Sequence, residues 1–273
     1  MCGMYYSNRL FNKATLVHGS LFESFLWMQM ANFSFFVFDN LVFRLPSTGL
    51  LTSVCASMSP SHLLKVLYML QLLTSYCSMF YSLLFCITRL VIVFYPDRHR
   101  RISSRITFFF VPFTFIFPLC ADFYLLPALG YCRQLSSPYP FGAISISFGE
   151  TWFNIRTDRC MLVLNFITPA AVLLINGVLI YKVRAWLFHK KMVRSQKSRR
   201  AQISLTMTTL AISIQFLAYG GKTVMSLITA ELGTYAQIVR NPLVDFGMVL
   251  VPWLFYLSHP MFHERTGANS SMT

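Results

Sequence analysis

The sequence predicts an all-α membrane protein, a multi-pass bundle of about six transmembrane helices. Hydrophobic residues make up 55% of the 273 positions and charged residues only 12%. The 27 phenylalanines are far more than one soluble core of this size would use. The net charge of +14 could indicate nucleic acid, but the cations gather in short gaps between apolar runs rather than on one face with interleaved aromatics. We therefore expect membrane lipid as a partner and no nucleic acid.

The apolar runs set the positions of the expected helices. A helix needs about 20 apolar residues to cross the roughly 30 Å hydrocarbon core of a bilayer. Pro, Gly or Ser clusters, or charge runs, separate such stretches. The spans are predicted near 17–43, 62–96, 106–129, 160–184, 203–229 and 241–259. Residues 1–260 then form one bundle domain, and 261–273 a short cytoplasmic tail.

The first run is unusual because it contains Glu23 and Asp39. An acid inside a membrane is costly unless it faces the bundle interior or lies near an interface.

Lysine and arginine in the short gaps predict the orientation. Gap 97–105 has four cations and one acid, and the stretch 182–200 has eight cations and no acid. Cytoplasmic loops carry such an excess of Lys and Arg. With about six spans, both termini fall on this cytoplasmic side. Attraction to anionic lipid would produce the same basic loops in any membrane protein.

Three cysteines fall on or near the outside, where oxidation is permitted: Cys55, Cys132 and Cys160. A bridge from Cys55 to Cys132 or Cys160 would tie the start of the second span to the long outer loop. Free thiols are the alternative, since sequence cannot determine connectivity.

The second run carries a lone arginine, Arg89, in the stretch "LLFCITRLVIVFYPDRHRR". As a helix, the run 62–96 is roughly 50 Å long, so it crosses the hydrocarbon core well before it ends. Arg89 then stands at the cytoplasmic mouth, where the energetic penalty is small and a partner can reach it. Pro96 follows seven residues later on about the same face, ahead of the basic loop. The alternative is that Arg89 only snorkels to lipid phosphates.

This pattern resembles the third helix of rhodopsin-like receptors and, more closely, of nematode serpentine chemoreceptors. The earlier stretch resembles the gamma superfamily, classes V and gamma, in which His-Gly opens the second helix and Arg-x-Pro-x-x-Gly closes it. The matching residues are His18, Gly19, Arg44, Pro46 and Gly49.

The resemblance implies a chemosensory G-protein-coupled receptor in the plasma membrane, with sensory cilia as one location. A small external ligand would bind on one side and a heterotrimeric G protein on the other. The residues it implies for G-protein coupling are Arg89, Thr88, Pro96, Arg98, Arg100, Arg101, Lys197, Arg199 and Arg200.

Three features depart from the family pattern. When the chain is aligned with the family on Arg89, the run 17–43 becomes the second helix, so the usual first helix is missing. A truncated receptor product that does not signal is therefore an alternative to a signalling receptor. Thr88 stands where rhodopsin-like receptors carry an acid, which removes the inactive-state ion pair there. Pro252 and Tyr256 are spaced one residue wider than Pro-x-x-Tyr.

The candidate ligand-binding residues are polar residues near the outer half of the spans: Asp122, Lys222 and Asp245. An ion pair between Lys222 and Asp245 would let both enter the bundle, and a purely structural pair is the alternative. The many Phe and Met residues suit apolar odorants, but they also suit helix and lipid packing.

Other function classes fit less well. No histidine lies deep in a span beside a serine-protease motif, and His259 with His263 is the only close histidine pair for a metal enzyme. We therefore expect no enzyme activity, no metal and no cofactor. A secondary transporter is the alternative, although inverted repeats are not apparent.

Overall fold

The computed structural model describes residues 19–258, apart from 96, 136, 150, 153–156 and 190–195. Six long helices account for most of these residues: α1 (Gly19–Asp39), α3 (His62–Phe94), α4 (His99–Ala121), α5 (Thr157–His189), α6 (Gln196–Ile228) and α7 (Ala230–Ser258). A short helix, α2 (Thr52–Ser57), and a two-stranded hairpin, β1 (Gly130–Gln134) and β2 (Ile144–Phe148), lie in the connections. Helix α1 packs along α3, α6 packs along α7, and α3 also contacts α4 and α5. His18, Pro96 and the tail 261–273 lie outside the described residues.

The central helix α3 begins and ends where the sequence provides local signals. The Ser61 hydroxyl accepts a hydrogen bond from the Leu64 amide at 3.4 Å, which caps the first turn. The last helical residue is Phe94, two positions before Pro96, because the residue before a proline disfavours helical backbone. Helix α3 is therefore a rod of about 50 Å.

The exterior of the bundle is apolar, as a membrane requires. Phe108 and Phe109 on α4 are 73% and 71% exposed, and Leu174 on α5 is 70% exposed. In water such a surface would be an aggregation site, whereas in lipid it is the ordinary outer face. By length and composition, α3, α4 and segments of α5 and α6 are apolar enough to cross a membrane. Helices α1 and α7 have a similar length, and they carry charged residues that include Asp39, Arg240 and Asp245.

Helix α1 does not end at Asp39. It continues through a π-helical segment, Asn40–Arg44, and an α-helical turn, Leu45–Ser47. The chain then turns at Gly49, whose φ of 84° lies in the left-handed region that favours glycine. The Arg-x-Pro-x-x-Gly motif therefore marks the end of this helix.

The β-hairpin was not predicted, since the sequence indicated only a long loop between α4 and α5. Gly130 pairs with Phe148 and Cys132 with Ile146 in an antiparallel register. Gly130 also exchanges backbone hydrogen bonds with Ser61, at 2.9 and 3.2 Å. A Cβ at Gly130 would meet the backbone nitrogen of Lys65, so only glycine lets the hairpin approach the start of α3 this closely.

Candidate functional site

Arg89 lies near the end of α3 and points into the bundle. Its side chain is among the largest fully buried ones, at 1% exposure, and its Cζ lies 5.4 Å from the centroid of the Phe85 ring. A side chain buried in this way does not snorkel to lipid phosphates, so that alternative is wrong for this conformation. The expectation that a partner can reach Arg89 directly is also wrong for this conformation, because the side chain is buried.

Thr88, the neighbour of Arg89, is buried as well. Its hydroxyl donates to the carbonyl of Leu84 at 2.9 Å, one turn back in the same helix. The position that holds an acid in rhodopsin-like receptors is thus occupied by a side chain bonded to its own helix.

The basic residues beyond α3 form a separate, exposed group. Arg98, Arg100 and Arg101 are exposed around the start of α4, whereas His99 between them is buried. Lys182 on α5 lies with its Nζ 4.9 Å from the Phe94 ring centroid, so α5 meets the end of α3 here. Lys197, Arg199 and Arg200 belong to the first turns of α6, and their side chains lie outside the described part of the structure.

A second group of charges joins α1 to α7, and we call Asp39, Arg44, Arg240 and Asp245 the ionic cluster. Arg44 Nε lies 2.6 Å from Asp39 Oδ2, and Arg44 Nη1 lies 2.6 Å from Asp245 Oδ2. Arg240 Nη2 is 3.9 Å from Asp39 Oδ1. Two arginines and two aspartates therefore balance in formal charge, with Asp39 and Arg240 buried and Asp245 partly exposed.

The π-helical segment explains how Arg44 reaches Asp39. Residues five apart point in different directions on an α-helix, but the i to i+5 turn of a π-helix brings them onto one face. Asp39 and Arg44 are five positions apart, and the segment between them is π-helical. The local backbone therefore aligns the Arg44 guanidinium with Asp39 and directs its other end towards α7.

Aromatic side chains surround the cluster. The Arg240 guanidinium lies 4.3 Å from the Tyr219 ring centroid and 5.9 Å from that of Phe35, distances typical of cation–π contacts. Tyr139, in the hairpin loop, packs its ring edge-on against Phe43 at 6.0 Å. Burial raises the pKa of the Tyr139 hydroxyl, so this group stays protonated at neutral pH and can donate a hydrogen bond.

The predicted ligand residues occupy different places. Asp122, at the end of α4, is 3% exposed and accepts a hydrogen bond of 3.3 Å from the Tyr76 hydroxyl on α3. Lys222 is half-buried on α6. Asp245 lies against Arg44, and this pairing replaces the ion pair expected between Lys222 and Asp245.

Sequence reasoning missed Arg44 and Arg240 as site residues. Arg44 was noted only as part of a helix-ending motif, and Arg240 lies just before the predicted start of the last span. Asp39, flagged as a costly acid in the first run, was the available signal, because a buried carboxylate requires a cation nearby.

A disulfide links Cys55, in α2, to Cys132, in β1, with their Cα atoms 5.9 Å apart. Of the two partners considered for Cys55, the structure therefore has Cys132. Cys160 lies in α5, and its side chain is outside the described residues. The bridge fastens the hairpin beside the start of α3.

Comparison with known proteins identifies this architecture. The model of the serpentine type 7TM GPCR chemoreceptor family Sru matches residues 1–265. Serpentine receptor class U-26 of Caenorhabditis elegans is 29% identical over 204 residues, which cover 74% of this chain and 70% of that protein. The match is to class U, so the finer resemblance to classes V and gamma of the gamma superfamily is not confirmed. The chain is an integral membrane, receptor-like helical bundle, and it belongs to the Sru family of serpentine 7TM chemoreceptors.

Proposed function

We propose that this protein binds a small external ligand and signals to a cytosolic heterotrimeric G protein through the end of α3 that carries Arg89. The observation that carries the proposal is the burial of Arg89 next to a group of exposed cations. A guanidinium is costly to hold inside a bundle, whereas one that becomes exposed when helices separate can act as a switch.

The mechanism follows from the donors of the guanidinium. When the ends of α3 and α5 move apart, Arg89 would become accessible and could donate to the free carbonyls that end a partner helix. Arg98, Arg100 and Arg101 would attract an acidic partner surface and speed its approach. Since Thr88 provides no carboxylate, we infer that the burial of Arg89 in the helix packing holds the inactive state, and not an ion pair with position 88.

The proposed orientation places the hairpin outside and the basic segments inside. Disulfides persist in oxidising compartments, so the Cys55–Cys132 bridge supports an external hairpin. The exposed arginines lie beyond the opposite end of α3, and an excess of cations is typical of the cytoplasmic side. Both termini would then be cytoplasmic in a plasma-membrane receptor. Antibody access to terminal tags in intact and permeabilised cells tests this, and labelling of either tag in intact cells would contradict it.

The signalling role can be separated from transport by one reconstitution. The purified protein in lipid vesicles would be screened with odorants and organic acids for nucleotide exchange on an added G protein. Receptor function predicts ligand-dependent exchange without net uptake of the ligand. Ligand accumulation in the vesicles without any exchange would instead support a secondary transporter.

A further inference from the structure

We propose that the ionic cluster, together with Tyr139, is a ligand site for a small organic acid that also carries a hydroxyl or amino group. The inference rests on the proposed receptor function and adds the chemical class of the ligand. It is carried by polar atoms of this cluster that are buried but lack hydrogen-bond partners.

Three of these atoms can donate. Among the described residues, Arg44 Nη2, Arg240 Nε and the Tyr139 hydroxyl are buried and have no hydrogen-bond partner. Arg240 is only 7% exposed, so water does not serve it freely. Buried donors are nearly always satisfied in proteins, and guanidinium donors bind most strongly to anionic oxygens. A carboxylate supplies such oxygens.

One of these atoms can only accept. Asp245 Oδ1 is buried without a partner in the described part of the chain, although Asp245 Oδ2 binds Arg44 Nη1 at 2.6 Å. Arg44 and Asp245 therefore meet through one pair of atoms and leave Arg44 Nη2 and Asp245 Oδ1 unused beside it. A free donor and a free acceptor then lie within a few ångströms of each other. A ligand that fits both needs an acceptor group with a donor close by, as in hydroxy acids and amino acids.

The surroundings suit a small ligand that arrives from the hairpin side. The Asp245 side chain is 37% exposed and that of Arg44 15%, so the cluster is not sealed. Tyr139 lies in the hairpin loop, on the side that the Cys55–Cys132 bridge marks as external. Phe35 and Tyr219 supply apolar walls beside Arg240. A purely structural salt-bridge network would instead need its donors and acceptors paired with one another.

Thermal unfolding of the purified full-length protein in detergent tests the site without any G protein. The probes are sodium glycolate and sodium lactate, each compared with its neutral amide and with sodium chloride at equal ionic strength. A ligand that binds only the folded state raises Tm by a few degrees when it is well above its Kd. We expect at least one acid to raise Tm, and its amide and sodium chloride to leave Tm unchanged.

Two conservative variants locate the binding. Tyr139→Phe removes only the hydroxyl, and Arg240→Lys keeps the charge near Asp39 while removing the guanidinium Nε. Both should fold with nearly unchanged Tm and lose the acid-dependent rise, whereas Tyr131→Phe, on the same hairpin, should keep it. A rise that persists in both variants, or no rise with any of the acids, would overturn the proposal. The vesicle assay tests the receptor function separately. Ligand-dependent nucleotide exchange there, together with either of these Tm results, would mean that the site is wrong and the receptor function is not.

Discussion

Replacing Arg44 with methionine should strongly destabilise the folded bundle, because Arg44 bridges two carboxylates on different helices. Its Nε and Nη1 each lie 2.6 Å from an aspartate oxygen, on Asp39 and Asp245 respectively. Methionine has a similar length and packs well in apolar surroundings, so the substitution removes the charge without leaving a large cavity.

The two contacts contribute unequally. The Asp39 side chain is 2% exposed, and removing the partner of such a buried charge costs about 3–5 kcal/mol. The Asp245 side chain is 37% exposed, and pairs of that kind contribute at most about 1 kcal/mol. Arg240, 3.9 Å from Asp39, offsets part of the loss, so we expect a total of about 4 kcal/mol. At ~1.36 kcal/mol per tenfold change, the ratio of folded to unfolded protein falls about a thousandfold.

The assay is the Tm of the detergent-solubilised protein, followed by a thiol-reactive dye or by size-exclusion chromatography after heating. A chain of this length loses about 2–4 °C per kcal/mol, which gives a decrease of about 8–16 °C for Arg44→Met. Asp245→Asn should lower Tm by less than about 4 °C, because it breaks only the exposed contact. The double variant Arg44→Met with Asp39→Asn should recover most of the loss. A Tm for Arg44→Met within about 2 °C of wild type would refute a buried ionic bridge between α1 and α7.

Two further changes test the attachment of the hairpin. Replacing both Cys55 and Cys132 with alanine removes a crosslink between residues 77 positions apart. The loss of this loop constraint should cost up to about 4.5 kcal/mol of stability and lower Tm. The control Cys120→Ala, at an exposed free thiol, should leave Tm unchanged. An unchanged Tm in the double alanine variant would mean that the bridge does not hold the hairpin. Gly130→Ala should lower Tm, since its Cβ would clash with the backbone of α3. Gly177→Ala on α5, where a Cβ would meet nothing within 4 Å, should leave Tm unchanged or raise it, because alanine favours a helix over glycine by up to about 1 kcal/mol. Equal Tm values for the two glycine variants would argue against the close approach of hairpin and helix.

The sequence predicts the existence and order of the long helices well, because the apolar runs that form them are long. Their ends are less predictable. Helix α7 begins at Ala230, whereas the predicted span starts at 241, because its first turns are too polar for a hydropathy window. The span predicted to reach 129 ends as a helix at Ala121, because the apolar residues after it belong to the connection to the hairpin.

The candidate site was harder to predict, since its residues come together only through tertiary packing. Arg44 and Asp245 are 201 positions apart, and no periodicity in one chain reveals such a pair. Lys222 was the expected partner of Asp245 because both fall near the outer half of the predicted spans, but the structure supplies Arg44 from the π-helical segment after α1 instead. The position of Arg89 along α3 followed from helix length, but its 1% exposure depends on neighbouring helices that length alone does not describe.

Nucleotide exchange on a purified G protein, measured for wild type and for Arg89→Ala in lipid vesicles, tests the central claim most directly. If the buried guanidinium is the group that the partner engages, its removal deletes charge-assisted hydrogen bonds of about 1.5–3 kcal/mol, and ligand-evoked exchange should fall about 10–100-fold. Arg105→Ala, at an exposed arginine on α4, should keep the wild-type rate, and surface biotinylation should show equal amounts of all three proteins. Unchanged exchange in Arg89→Ala, at equal surface amounts, would contradict the account and leave Arg89 a structural residue of the bundle.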